Sequence, residues 1–259
     1  MKIGIIGYGR WGKKLHKEYG AILGESNVII HDPPAEIINS EIYSVDGVHI
    51  ATPPLTHYKV AKEFITRSIP VLIEKPMCMS ARECLWLADL ARRHRVSLMV
   101  GHIFRYSDAV KKLVGSRPKK RVKFVWKHSS HARNVLWDLL PHIFDMCNYI
   151  TGEWPERLRS VQNERNAFVN GYLCNVPLSI ELSLNYEGKI RCIEIDDETH
   201  HILQMQKNNT IRAEALEFIH RINHKVSVPS TDAFLGYITV QLIEGVDKRW
   251  ERRSQRTLS

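Results

Sequence analysis

Short, nearly continuous apolar runs alternate with helical spacing through the first half of the chain. Residues 2–6 (KIGII), 27–31 (NVIIH), 47–52 (GVHIAT), 70–74 (PVLIE) and 97–102 (SLMVGH) read as strands covered on both faces. Between them, 10–23, 55–68 and 80–94 place apolar residues at helical spacing; in 55–68, Tyr58, Ala61, Phe64 and Ile65 share one face. Ser80 followed by Glu83 predicts a capping box at the third helix. Strands alternating with helices predict βαβ units and a parallel sheet. Only fourteen residues span 33–46, so that unit is compressed, with a vestigial strand expected near 41–44.

After residues 116–120 the pattern changes. Strands are expected at 121–128, 157–164, 167–173, 178–186, 189–195 and 200–206, and helices at 138–151, 211–223 and 231–250. Leu178, Ile180, Leu182 and Leu184 alternate with Ser179, Glu181 and Ser183, the signature of a half-covered, mostly antiparallel sheet. The reading is an α/β chain: residues 1–118 form one domain and 119–259 a second, α+β domain with an open sheet.

Composition narrows the function. The chain has 259 residues, 44% hydrophobic and 25% charged, a globular balance with enough apolar matter for a core. No apolar run of about 18 residues predicts a membrane span, and MKIGIIG lacks the features of a secretory leader. Five cysteines without a C-x-x-C pair argue against a disulfide framework or structural zinc, so the cytoplasm is the expected home. The net charge of +9 concentrates in 117–123 and 247–256. Apart from Trp250, no aromatic residue interleaves with these charges as nucleic-acid binding would require. Attraction of an anionic cofactor or substrate is one use of the charge; a solvated linker and a frayed last helix are the plainer account. The closing residues 252–259 are expected to be poorly ordered. His128-x-x-His131 and His200-His201 have no third ligand at a recognised spacing, so no metal is expected.

The chemistry-bearing motifs begin with GYGRWG at 7–12. It follows a predicted strand and opens a predicted helix, the context of a Rossmann dinucleotide fingerprint. Gly7 permits the turn, Gly9 lets the backbone approach a pyrophosphate, and Gly12 lets the helix pack on the strand. Backbone N–H groups near Arg10 and Trp11 then face the phosphates. Asp32, twenty residues after Gly12, is placed to bond a ribose hydroxyl and repel a 2′-phosphate, which favours NAD over NADP. Pro33 and Pro34 follow without a basic residue. Asp32 could instead simply initiate a turn before proline.

The second motif is VLWDLLPHIFDM at 135–146. Pro141 belongs in a first helical turn, which puts the helix start near Asp138. Asp138 and His142, four residues apart, then share a face among apolar neighbours. They could act as a carboxylate and base, or as a helix cap and a core histidine. Asp145, a turn further on, reads as structural, a partner of His142 or of nearby backbone.

ATPPLTHYKVAKEFI (51–65), VLIEKPM (71–77) and VLWDLLPHIFDM closely resemble the glucose–fructose oxidoreductase/inositol dehydrogenase family, known as Gfo/Idh/MocA. GHIFRY (101–106) and the closing segment from Glu214 to Gly245 extend the resemblance over nearly the whole chain. It implies a Rossmann domain followed by an open-sheet domain, NAD as cofactor, and hydride transfer at a secondary alcohol or ketone of a sugar, cyclitol or nucleotide-sugar. It implies that Lys75 sits where cofactor and substrate meet, and that Asp138 and His142 are the catalytic acid and histidine. Ala51, Thr52, Pro53, Pro54 and His57 would line the cofactor, supported by Glu74, with Lys75 and Pro76 beside it across a cis bond. His102 would touch the cofactor, and Arg105, with Lys75, Asp138 and His142, the substrate. Self-association as a dimer or tetramer through the second domain's sheet is implied too. Two other activities fit such a fold: a glycosidase using transient oxidation by NAD, and a non-catalytic NAD-bound regulator. In a dehydrogenase, His142 is the natural base because an imidazole titrates near neutrality, and Lys75 would stabilise developing alkoxide charge.

Overall fold

The computed structural model describes residues 1–32, 40–130, 132, 134–225 and 231–247. The readings placed on Pro33, Pro34, His131 and the tail beyond Asp247 lie outside them. The chain forms two compact units: Met1–Ile103 with Asn209–Val240, and Phe104–Asn208 with the chain from Gln241 on. A single division at residue 118 therefore differs from what is observed.

The first unit runs β1 (Ile3–Ile6), α1 (Arg10–Leu23), β2 (Val28–His31), β3 (Gly47–Ile50), α2 (His57–Ile65), β4 (Val71–Glu74), α3 (Ala81–His94) and β5 (Leu98–Gly101). All pairings are parallel, in the order β2-β1-β3-β4-β5. β1, β3 and β5 are buried at every position, which is why their sequences read as unbroken apolar runs. The direction of winding reverses between β1 and β3, so the turns leaving Ile6 and Ile50 face each other at a topological switch point. Ser40–Ser44 is a 3₁₀ helix, not the vestigial strand expected there; among the described residues β2 pairs with β1 alone and ends the sheet. At Ser80 the capping box is not made: the serine side chain makes no cap bond, and Glu83 engages the Met79 backbone rather than that of Ser80.

The second unit holds α4 (Asp108–Lys111), β6 (Val122–Ser129), α5 (Val135–Thr151), β7 (Glu156–Gln162), β8 (Asn166–Leu173), β9 (Val176–Ser183), β10 (Asn185–Ile195), β11 (Glu198–His201) and α6 (Ile202–Met205). Its sheet order is β11-β10-β6-β9-β8-β7. Only β6–β9 is parallel; the other four pairings are antiparallel. α5 packs on β8 and β9, and the alternation read from 178–186 appears as buried Leu178, Ile180 and Leu182 between half-buried polar neighbours. The strand expected over 200–206 stops at His201, where α6 begins.

Two helices follow, α7 (Thr210–Asn223) and α8 (Thr231–Val246). α7 returns to the first unit and packs against α1. Its Phe218 and Ile222 close over Gly47, where a Cβ would lie 3.1 and 2.6 Å from them. α2 pairs with α3. No helix among the described residues is long and apolar enough to cross a membrane.

Candidate functional site

The glycine turn is built as its spacing predicts. Gly7 has φ +97°, and a Cβ there would lie 2.8 Å from the Ala51 and Thr52 backbone. A Cβ on Gly12 would overlap the Gly7 carbonyl oxygen, so the third glycine lets α1 press onto the turn. Gly9 is different: nothing lies within 4 Å of its missing Cβ. It is the N-cap of α1, and no acidic residue stands in that helix's first turn. Exposed amide groups without local negative charge suit an anion.

A cavity of about 650 Å³ opens over this turn. Gly7, Gly9, Arg10, Trp11, Asp32, Ala51, Thr52 and Pro53, eight residues singled out from sequence, line it, together with His31 and Thr56, which were not. Asp32 accepts the Tyr8 amide at 2.9 Å, which holds its carboxylate at the end of β2 beside the glycine turn. The residues present therefore fit a dinucleotide: amides for phosphate, an acid for ribose, and an unfilled face at Gly9.

Other expected cofactor residues support the turn from beneath. His57 is fully buried, with Nδ1 2.9 Å from the Pro76 carbonyl and Nε2 2.9 Å from the Thr52 carbonyl. It ties the loop after β3 to the one after β4. Burial pushes its pKa down, and the carbonyls only partly restore it. Pro54 opens a 3₁₀ turn, Pro54–Thr56. Glu74 ends β4 and accepts the Trp11 indole N–H, with His49 Nε2 3.3 Å away. Burial pushes Glu74 up, but His49, Trp11 and the charge of Lys75 outweigh it and hold it below the usual carboxylate range. His49 reaches back to the Tyr19 hydroxyl at 3.3 Å. The glycine turn and the Glu74-Lys75-Pro76 turn are thus joined through side chains. Lys75 is half-buried, its bond to Pro76 is cis, and His102 is buried just past β5.

His49, Glu74 and Glu214 offer ligand atoms within 4.8 Å of one another, all buried. They come from β3, β4 and α7, so no linear spacing announces them. This set differs from the histidine pairs weighed in the sequence.

In the second unit, α5 begins one turn before Asp138. Asn134 caps it, accepting the Leu136 amide at 2.9 Å, and Pro141 lies inside the helix rather than in its first turn. Asp138 and His142 still share a face. Asp138 Oδ2 is 3.4 Å from Ser130 Oγ and 4.0 Å from His128 Nε2. His142 stands edge-on to Phe104, ring centres 5.0 Å apart.

Arg105 is engaged elsewhere. Its Nε donates to Asp145 at 2.8 Å, its Nη2 to Asn148 at 3.2 Å, and it lies over Tyr149. Asp145 is thus structural, as its position along the helix suggested, but its ion-pair partner is Arg105. Desolvation raises the Asp145 pKa to about 7 against the pull of Arg105. Arg191 was missed altogether. It sits on β10 beside Trp126, Phe104 and Asp138.

Residues 25–102 match the family model described as oxidoreductase family, NAD-binding Rossmann fold, GFO_IDH_MocA. The chain is similar to a UDP-N-acetylglucosamine 3-dehydrogenase of Acidithiobacillus ferrooxidans, 28% identical over 180 residues, which are 62% of this chain and 58% of that protein. It is 27% identical over 228 residues to a scyllo-inositol 2-dehydrogenase (NADP(+)), IolW, of Bacillus subtilis, covering 74% of this chain and 62% of that one. The matched region is thus less than two thirds of either relative. In structure, the Acidithiobacillus enzyme superposes with TM-score 0.82 at 22% identity, covering 95% of this chain and 96% of its own. GenD2 from gentamicin A biosynthesis, in complex with NAD, gives TM-score 0.76 at 16% identity, over 97% and 94%.

Proposed function

We propose that this chain is an NAD(H)-dependent oxidoreductase of the Gfo/Idh/MocA type, the family whose Rossmann model residues 25–102 match, acting on a secondary alcohol or ketone of a sugar, cyclitol or nucleotide-linked sugar. The observation that carries the reading is the open glycine turn at the switch point of a parallel sheet, with Asp32 at the end of the neighbouring strand.

Bound NAD would supply the hydride chemistry, and the chain the binding, orientation and proton handling. The amides opening α1 hold the pyrophosphate. Asp32 takes ribose hydroxyls and disfavours a 2′-phosphate, so NAD(H) is the preferred form. His142 takes the hydroxyl proton on an imidazole nitrogen, and Asp138 orients the substrate beside it. Lys75 donates a hydrogen bond to the reacting oxygen. Arg105 is a support for α5 in this reading, because Asp145 and Asn148 occupy its guanidinium. The chain self-associates through the open face of the second unit's sheet.

The test is a panel of sugars, cyclitols and nucleotide-sugars with NAD or NADP, followed at the nicotinamide absorbance. Turnover of at least one alcohol with NAD is expected, and His142→Ala and Lys75→Ala should lower kcat by about 10²–10⁴-fold. Wild-type rates in both variants would overturn the residue assignment. Failure of both nucleotides to bind would overturn the activity.

A further inference from the structure

The buried face of the second sheet can be read row by row. Ile180, Phe124 and Ile193 are cross-strand neighbours and form one row; Leu182, Trp126 and Arg191 form the next. The first row is apolar throughout. In the second, an arginine stands where a hydrophobic residue would complete the pattern.

The Arg191 guanidinium lies 4.9 Å from the centre of the Phe104 ring and 5.1 Å from that of Trp126. These aromatic faces hold the charge in place. Its Nε is buried with no hydrogen-bond partner among the described residues, and so is Nε1 of the fully buried Trp126. Both groups are donors only. A buried donor left unmet is destabilising, so an arginine kept only for packing would be a poor choice over methionine or leucine. Asp138 lies within its electrostatic reach, but Arg191 closes no ion pair among the described residues. Desolvation lowers its pKa to about 10, which leaves it charged at neutral pH.

Its place matters as much as its charge. Phe104 also meets the His142 ring edge-on at 5.0 Å. The cation and the proposed base therefore flank one aromatic side chain. Asp138 and His128 are about three-quarters buried at the same spot, with side-chain exposures of 24% and 22%.

We propose that Arg191, seated against the Trp126 and Phe104 rings, anchors an anionic oxygen group of the substrate. The substrate is then an acidic sugar derivative carrying a carboxylate or a phosphate, and not a neutral hexose or cyclitol. The proposal rests on the oxidoreductase reading for the role of His142, and it sharpens the substrate class. An oxyanion paired with the guanidinium would both lower the desolvation penalty and fix the sugar's orientation.

The experiment is calorimetric titration of the full chain, with and without NAD, using glucuronate, glucose 6-phosphate, glucose and myo-inositol. At least one of the two acids is expected to bind about 10–100-fold more tightly than glucose. Which of the two binds tells carboxylate from phosphate. Arg191→Met should remove most of that preference, and Arg191→Lys should keep part of it, with NAD affinity and melting temperature near wild type. Glucose or myo-inositol binding as tightly as both acids would overturn the proposal. So would an Arg191→Met variant that weakens acids and glucose equally, the mark of a merely structural residue. Absence of binding by all four probes would count against it as well. Loss of NAD binding alone would sink the oxidoreductase reading, while the titrations without NAD would still decide the anion anchor.

Discussion

At the scale of single residues, the proposed nucleotide site depends on how closely the glycine turn packs. Gly12 is the sharpest case: a methyl group there would strike the Gly7 carbonyl oxygen, so α1 must lift off the turn. Gly12→Ala is expected to weaken NAD binding at least tenfold by NADH fluorescence titration, and unchanged affinity would remove the glycine turn from the cofactor site. Gly7, Gly9, Gly12 and Asp32 were legible because one βαβ unit contains them. Trp11, His49 and Glu74 meet only once β1, β3 and β4 are aligned, so the side-chain role of Trp11 was invisible. Asp145 supplies a pH prediction. Its folded pKa is raised to about 7 by burial, so the folded state holds the proton more tightly than the unfolded chain. The stabilisation is complete below the unfolded carboxyl's pKa of about 3.9 and is lost as pH rises through about 7, at up to about 1.4 kcal/mol per unit. Asp145→Asn keeps an acceptor for Arg105 and removes the titration. Its stability relative to wild type should therefore improve between pH 5 and pH 8 in urea melts; a constant difference would mean the carboxylate stays ionised throughout.

At the scale of elements, periodicity located most strands and helices, and the ends were where it slipped. Pro141 was read as a marker of the first turn, yet α5 starts at Val135 and contains the proline. An interior proline forfeits a helix hydrogen bond, yet Pro141 is buried here along with Leu139, Leu140 and Ile143. The start was encoded by Asn134, which accepts the Leu136 amide. Asn134→Ala should cost about 1 kcal/mol, read as a fall of about 2–4 °C in Tm, whereas Asn134→Ser should retain most of it. Equal melting of all three proteins would show that the cap contributes nothing. Parity within 189–195 also held a signal that went unread. Arg191 shares its strand face with Ile193 and Ile195, so an alternation count would have placed a charge on the buried side.

At the scale of the whole molecule, order along the chain misled the division into domains. Everything after residue 118 was assigned to the second domain, but α7 covers the start of β3 in the first unit through Phe218 and Ile222. Helical spacing tells which face of α7 is apolar, not which sheet it meets. The second sheet poses the opposite question, since its apolar residues also occur on the open side. Val161 and Phe168 stand directly opposite each other on β7 and β8, 79% and 55% exposed, and Tyr172 lies further along the same face of β8 at 41%. An exposed Val161–Phe168 pair, with Tyr172 beyond Asn170, favours burial against another surface, and the ion pairs Lys127–Glu181 and Lys123–Glu194 beside it offer a polar rim. A second copy of the same face would bury the pair symmetrically, as closed dimers do. Light scattering should then give a mass of at least twice 30.0 kDa for the wild type. Phe168→Glu should shift it toward the monomer, because two carboxylates would face each other across the symmetry axis or enter an apolar contact unpaired. A wild-type mass of 30.0 kDa at all concentrations, or a Phe168→Glu protein that associates unchanged, would place the interface elsewhere.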